Sequence, residues 1–224
     1  MRGFIFTLFL FSTLVNAQTE YPLLNYSGRG INSIVPDGWE IIASSEGDLN
    51  KDDLNDFVVV VQKNVNIEKD GIVEIFILRI LGIYLQQKDG MFVKHTQSNS
   101  FIISKENQEM NEPFQGIYIT KDGSLDINFQ LWKTESLWFI TTHSFRFSLL
   151  NNKFSLIQYS LNETNREKGD TTDYILNFLT KKMLVTNGNF LKDVKTTEEV
   201  KKLKVDKLHT IESLVTPFKI SLWD

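Results

Sequence analysis

The sequence predicts a mainly β protein, a β-rich chain of the α+β class with antiparallel sheets in a compact domain, about ten strands and at most one or two short helices. Three observations carry that expectation. Residues 137–147 alternate, with Leu, Phe, Thr, His, Phe and Phe at odd positions against Trp, Ile, Thr, Ser and Arg at even ones, the period of two of a half-buried strand. Residues 57–61 and 72–85 are near-continuous apolar runs rich in β-branched and aromatic side chains, the composition of strands covered on both faces. Lys-Asp-Gly recurs at Lys69, Lys88 and Lys121 between apolar runs, where glycine supplies the positive φ of a tight turn.

Taken in order, the chain opens with Met1-Arg2-Gly3, an apolar stretch over residues 4–15, and Val15-Asn16-Ala17, small or short residues where a signal peptidase cuts. A membrane-spanning helix takes about 20 apolar residues and this run is far shorter. Residues 1–17 therefore read as a cleaved signal peptide, and the mature chain as secreted or periplasmic with no membrane span after cleavage. The chain has no cysteine, which removes a lipid anchor, thiol chemistry and disulfides. Burial, hydrogen bonds and a bound metal are then the means left to hold an exported domain together.

With 24 basic and 28 acidic residues the chain carries no electrostatic footprint for nucleic acid. Apolar residues make up 42% and there are 17 Phe, enough to fill a sizeable core. Strands are expected over residues 39–43, 57–61, 72–85, 91–94, 114–120, 125–132, 137–147, 154–161, 174–179 and 183–186. The pair around Asn151-Asn152-Lys153 reads as a hairpin. The three Lys-Asp-Gly turns lie at unequal spacings and mark recurrent turn chemistry, with no internal repeat. Residues 18–190 form the β-rich domain and residues 191–224 a lysine-rich carboxy-terminal extension packed on it. Within the extension, Thr196-Thr197-Glu198-Glu199 makes a capping box ahead of Val200 and Leu203, the start of one helix. Residues 211–223 resume an apolar pattern and suggest a closing strand.

One motif carries chemistry. Gly47-Asp48-Leu49-Asn50-Lys51-Asp52-Asp53-Leu54-Asn55-Asp56 runs directly into Phe57-Val58-Val59-Val60-Val61, so an acidic loop feeds a buried strand. Asp48, Asn50, Asp52 and Asp56 offer side-chain oxygens and Leu54 a carbonyl, the hard-oxygen set that calcium takes with water completing six to eight ligands. Val59 stands where an EF-hand needs its bidentate Glu, and a strand follows where an EF-hand has a helix. The pattern instead resembles the FG-GAP or VCBS-type loop, Asp-x-Asn-x-Asp-Gly-x-x-Asp before a strand of Leu and Val, matched by Asp48, Asn50, Asp52 and Asp56. That resemblance implies a structural calcium site. Asp53 departs from it, standing where the family places Gly, and a Cβ at positive φ costs on the order of 1 kcal/mol. Only one copy is present, so a full propeller is not expected. Ile34-Val35-Pro36-Asp37-Gly38-Trp39, Arg79-Ile80-Leu81, Lys88-Asp89-Gly90, Ser144-Phe145-Arg146-Phe147 and Asn177-Phe178-Leu179-Thr180 together look like uncharacterised secreted Bacteroidetes proteins, which implies fold and address only.

Other chemistry is weakly signalled. His95, His143 and His209 are scattered and fit no zinc signature. No nucleophile elbow, phosphate loop or dinucleotide pattern occurs. Glu46, Asp122, Asp126 and Glu135 are the carboxylates a glycosidase would draw on, and Trp132 and Trp138 could stack on sugar rings. Asn25 and Asn162 head glycosylation sequons. The expectation is an exported, non-enzymatic binding or structural module with a calcium loop and a protein or glycan partner. The alternatives are a secreted hydrolase or carbohydrate-active protein with a carboxylate site, and an inhibitor or immunity-type protein.

Overall fold

The structure, a computed structural model, describes residues 21–69, 71–105, 110–132, 138–192, 196–214 and 218. Twelve strands occur among them: β1 (Ser27–Gly28), β2 (Glu40–Gly47), β3 (Asp56–Lys69), β4 (Ile72–Gln86), β5 (Phe92–Ser98), β6 (Phe114–Ile119), β7 (Leu125–Trp132), β8 (Phe139–Leu150), β9 (Lys153–Asn165), β10 (Asp170–Asn177), β11 (Lys182–Asn189) and β12 (Thr197–Lys202). The one helical element described is a 3-10 turn at Ile31–Ser33. A five-stranded antiparallel sheet has the order β1-β5-β4-β3-β2 and a seven-stranded antiparallel meander runs β12-β11-β10-β9-β8-β7-β6. The mainly β expectation holds, and neither sheet closes into a barrel.

The turn chemistry is as read from the sequence. Gly71, Gly90 and Gly123, the third residues of the Lys-Asp-Gly triplets, have φ of 77°, 80° and 78°. Asn151 and Asn152 both take positive φ in the two-residue connection between β8 and β9, the geometry that matches the twist of paired strands.

Both faces of the five-stranded sheet are covered over residues 57–61 and 80–84, which explains the apolar runs there, whereas Ile72, Val73, Ile75 and Phe76 in the first half of the 72–85 run are exposed, against the expectation of a strand covered throughout. Val58, Val60, Leu81 and Ile83 face the seven-stranded sheet and share one core with Phe129, Phe145, Phe147, Phe154 and Leu156. Phe57, Val59, Val61, Ile80 and Tyr84 point the other way and are covered by Leu24 and Ile34, with Tyr21, Val35 and Trp39 at the margin. Phe101, on the crossover between the sheets, sits in the shared core with its ring edge-on to Phe145 and Phe147, each at 5.4 Å between centroids. Arg79 holds that crossover. Its side chain is 4% exposed, donates to the Gln62 amide oxygen and the Ile103 carbonyl, and forks onto the Glu112 carboxylate at 2.7 Å and 2.7 Å.

The helix expected from the Thr196–Glu199 capping box is not formed. Residues 197–202 are β12, an edge strand paired antiparallel with β11. With only Val200 and Leu203 apolar, a helix here would have no continuous stripe to bury, whereas the strand completes the hydrogen-bond ladder of β11. Leu203 is buried at the end of β12 while Val200 stays exposed. Where residues 211–223 suggested a closing strand, Ile211 and Leu214 are buried on a turn that follows the Ser155 to Thr210 bridge. Residues 215–217 and 219–224 lie outside the described residues, as do residues 1–17, where a signal peptide is expected. Among the described residues no helix is long and apolar enough to cross a membrane.

Candidate metal centre

The Asp-rich loop joins β2 to β3 at a corner where the two sheets meet. Ser45 Oγ accepts a 2.9 Å hydrogen bond from the Ile119 amide on β6, and a Cβ at Gly47 would lie 2.7 Å from Ile119 Cγ2. The turn between β6 and β7 closes over the loop, so that a Cβ at Gly123 would lie 2.7 Å from the Asp48 carbonyl oxygen. This wall, more than sixty residues away in sequence, had no local signal.

Within the loop the side chains organise the backbone. Asp48 Oδ1 accepts from the Lys51 and Asp52 amides and its Oδ2 from the Asp53 amide, at 2.6, 3.1 and 2.9 Å. Asn50 Oδ1 takes the Asp52 amide, and Asp52 Oδ1 the Leu54 amide. Lys51 and Asp53 both have φ of 64°, so the position where Gly was missing is strained in the way the sequence implied, and Lys51 is a second such position. Asp56 has a different place. It is fully buried and accepts the Leu49 amide at one oxygen and the Gln86 amide at the other, each at 2.8 Å, which ties the loop to the end of β4.

Burial pushes the Asp56 carboxyl above its ordinary range, the two backbone donors oppose that shift, and the nearby charges of Asp52 and Asp48 add to it. The charges of Asp48 and Asp52 thus bear on the buried Asp56 at this corner. A cation placed among them would relieve both the burial and the repulsion. The donor chemistry fits a hard divalent ion: Asp48 and Asn50 at half-buried positions and Asp52 at an exposed one present oxygens at alternate places, Leu54 adds a carbonyl, and each carboxylate oxygen that accepts one N–H keeps a second lone pair. Among the described residues no group of three or more His, Cys, Asp or Glu side chains is gathered for a metal. Asp48, Asp52 and Asp56 are not so gathered, and a site here would draw on the Asn50 amide and the Leu54 carbonyl as well.

The chain matches no protein-family model, no curated protein and no solved structure.

The remaining candidates are occupied structurally. His143 is buried on β8, with Nδ1 2.7 Å from the Tyr159 hydroxyl and Nε2 2.9 Å from Thr141 Oγ1, and the Phe218 ring stands edge-on to it. Burial lowers its pKa to about 4, so it is neutral at pH 7. His95 bonds Thr96 and Asn152 across to the other sheet, far from His143 in the chain. Asp126 forms a two-point ion pair with Arg146, both contacts 2.7 Å. Asp122 caps its own turn through Thr120 and Ser124. Glu46 lies exposed at the end of β2, and Glu135 falls outside the described residues. Arg166 stacks over Trp132 at 5.8 Å, and Trp138 is 52% exposed. Both sequon amides are engaged, Asn25 with the Ser33 carbonyl and Asn162 with Asp173.

Proposed function

We propose that this protein is an exported, non-enzymatic binding or structural module whose β2–β3 loop takes a calcium ion through Asp48, Asn50, Asp52 and Leu54, with Asp56 as the buried acidic anchor beneath them. The observation that carries the reading is the wholly buried Asp56 carboxyl, raised further by the nearby charges of Asp52 and Asp48, in a loop wound by two positive-φ residues. The FG-GAP-like spacing of those residues agrees with it. In this reading the ion is structural. It offsets carboxylate repulsion at the corner where β2, β6 and the β6–β7 turn meet, and so holds the edge of β3 in register with the rest of its sheet. The roles already filled by His143, Asp122 and Asp126 favour a module without catalytic machinery at this site. Its partner is a protein or a glycan.

Calcium bound only by the folded form stabilises by RT ln(1 + [L]/Kd), about 2.7 kcal/mol at a hundredfold excess over Kd. The test is thermal unfolding of the signal-free chain, residues 18–224, after chelation and again with millimolar calcium, beside an Asp48→Ala, Asp52→Ala double variant. A midpoint that rises with calcium in the parent and not in the variant is expected. An unchanged midpoint in the parent would sink the metal assignment and leave the loop a solvated acidic turn.

A further inference from the structure

The inner face of the seven-stranded sheet changes character along its strands. Its rows can be read from the register. Phe145, Tyr159 and Leu176 form an apolar row, and His143, Leu161 and Tyr174 the next. Beyond them Thr141 pairs with Glu163 and Glu163 with Thr172, and then Phe139 pairs with Asn165 next to Asp170. The shared core ends at the His143 row, and past it the sheet face carries a pocket of about 200 Å³ lined by Phe139, Thr141, Glu163, Asn165, Asp170 and Thr172.

The chemistry of that lining is one-sided. Among the described residues it includes two carboxylates and no Lys, Arg or His. The ion pairs found among the described residues are Arg79 with Glu112, Arg146 with Asp126 and Lys201 with Glu199, so neither Glu163 nor Asp170 is neutralised by one. Asp170 is oriented by a neutral donor, Asn189 Nδ2 donating to its Oδ1 at 2.6 Å, and Glu163 lies beside the Tyr174 phenol. The Glu163 charge is felt by the phenols on either side, raising the pKa of Tyr159 and Tyr174 on top of their burial. Thr172 and Thr141 spend their hydroxyls on Asn187 and His143, which fixes the walls. Two carboxylates with no cation beside them among the described lining residues make a concave site that repels anions and attracts cations. Phe139 on the rim adds an aromatic surface of the kind that favours organic cations over hydrated metal ions. A cavity of about 150 Å³ holds a benzene ring, so this one suits a compact head group and a short stem.

We propose that this pocket binds a small organic cation, an ammonium or guanidinium group on a short aliphatic stem, held between Glu163 and Asp170. The site lies on β8, β9 and β10 and is separate from the calcium loop, so the two assignments stand or fall independently.

The test titrates the full chain with agmatine and n-butylamine, with 1-butanol and glucose as neutral probes, by calorimetry at low and high salt and by amide chemical shifts. Agmatine should bind saturably, shift the Thr141 and Thr172 amides, and weaken as salt rises. Glu163→Gln and Asp170→Asn should each lower its affinity about tenfold, as expected for losing one charge-assisted contact. Phe139→Ala, which keeps both charges, should lower it severalfold. Thermal midpoints show whether each variant folds, and if Glu163→Gln does not, Asp170→Asn and Phe139→Ala decide the matter. Agmatine affinity unchanged in the folded variants would overturn the proposal. Equal binding of glucose would overturn it in favour of a polyol site, and displacement of agmatine by calcium in both the parent and the Asp48→Ala, Asp52→Ala protein would overturn it in favour of a metal.

Discussion

Replacing His143 by Gln should remove a pH dependence that the folded protein owes to one buried imidazole. The residue is 7% exposed, packed against Tyr159 and Phe218, and its pKa is lowered to about 4 from the ordinary 6.5 by burial. Between those two values the unfolded chain binds a proton that the folded chain refuses, so stability is full above pH 6.5 and falls as pH drops. At 1.36 kcal/mol per unit the whole loss is about 3 kcal/mol, of which about 2 kcal/mol has gone by pH 5. Gln keeps hydrogen-bonding capacity toward Tyr159 and Thr141 without titrating. Urea unfolding followed by tryptophan fluorescence at pH 7.5, 6.5, 5.5 and 5.0 gives both curves, and their difference cancels His95, His209 and the carboxylates. The parent should lose about 2 kcal/mol more than His143→Gln across that range. A difference that stays flat to within about 0.5 kcal/mol would refute the account, because it would mean the imidazole takes its proton in the folded state as readily as in water.

Two further substitutions probe the corner that holds the acidic loop. Asp56→Ala leaves the Leu49 and Gln86 amides without their buried acceptor and should cost about 2–4 kcal/mol, measured by urea unfolding in chelator so that metal plays no part. Gly123→Ala places a Cβ at φ of 78° and 2.7 Å from a backbone oxygen, so it should cost about 1–3 kcal/mol, whereas the same change at Gly71, with equal φ and open space around it, should cost only the backbone part, about 1 kcal/mol. Equal costs at the two glycines would show that the β6–β7 turn does not rest on the loop.

What the sequence determined by itself is what depends on neighbours in the chain. Alternation over 137–147 reports which side of β8 is buried, because side chains of a strand point to opposite faces in turn. The Lys-Asp-Gly triplets and Asn151-Asn152 report turns, because positive φ is a property of single residues. The unbroken valines after Asp56 report a strand covered twice, and the departure at Asp53 is readable as a strained left-handed residue. The acidic loop was visible as a set of oxygens at alternate positions for the same reason.

Tertiary structure decided whatever depends on partners distant in sequence. Thr197–Lys202 has a helix start signal, but the open edge of β11 offers a full ladder of hydrogen bonds where a helix would have had little to bury against. Asp56 reads from the sequence as one more loop ligand, and only the fold shows that the Leu49 and Gln86 amides also hold it from below. Glu163 and Asp170 carry no motif, and nothing local links them to Thr141 or Phe139. The register of β8, β9 and β10 sets them on one face, at the end where the core stops, because only the paired sheet fixes which residues stand side by side.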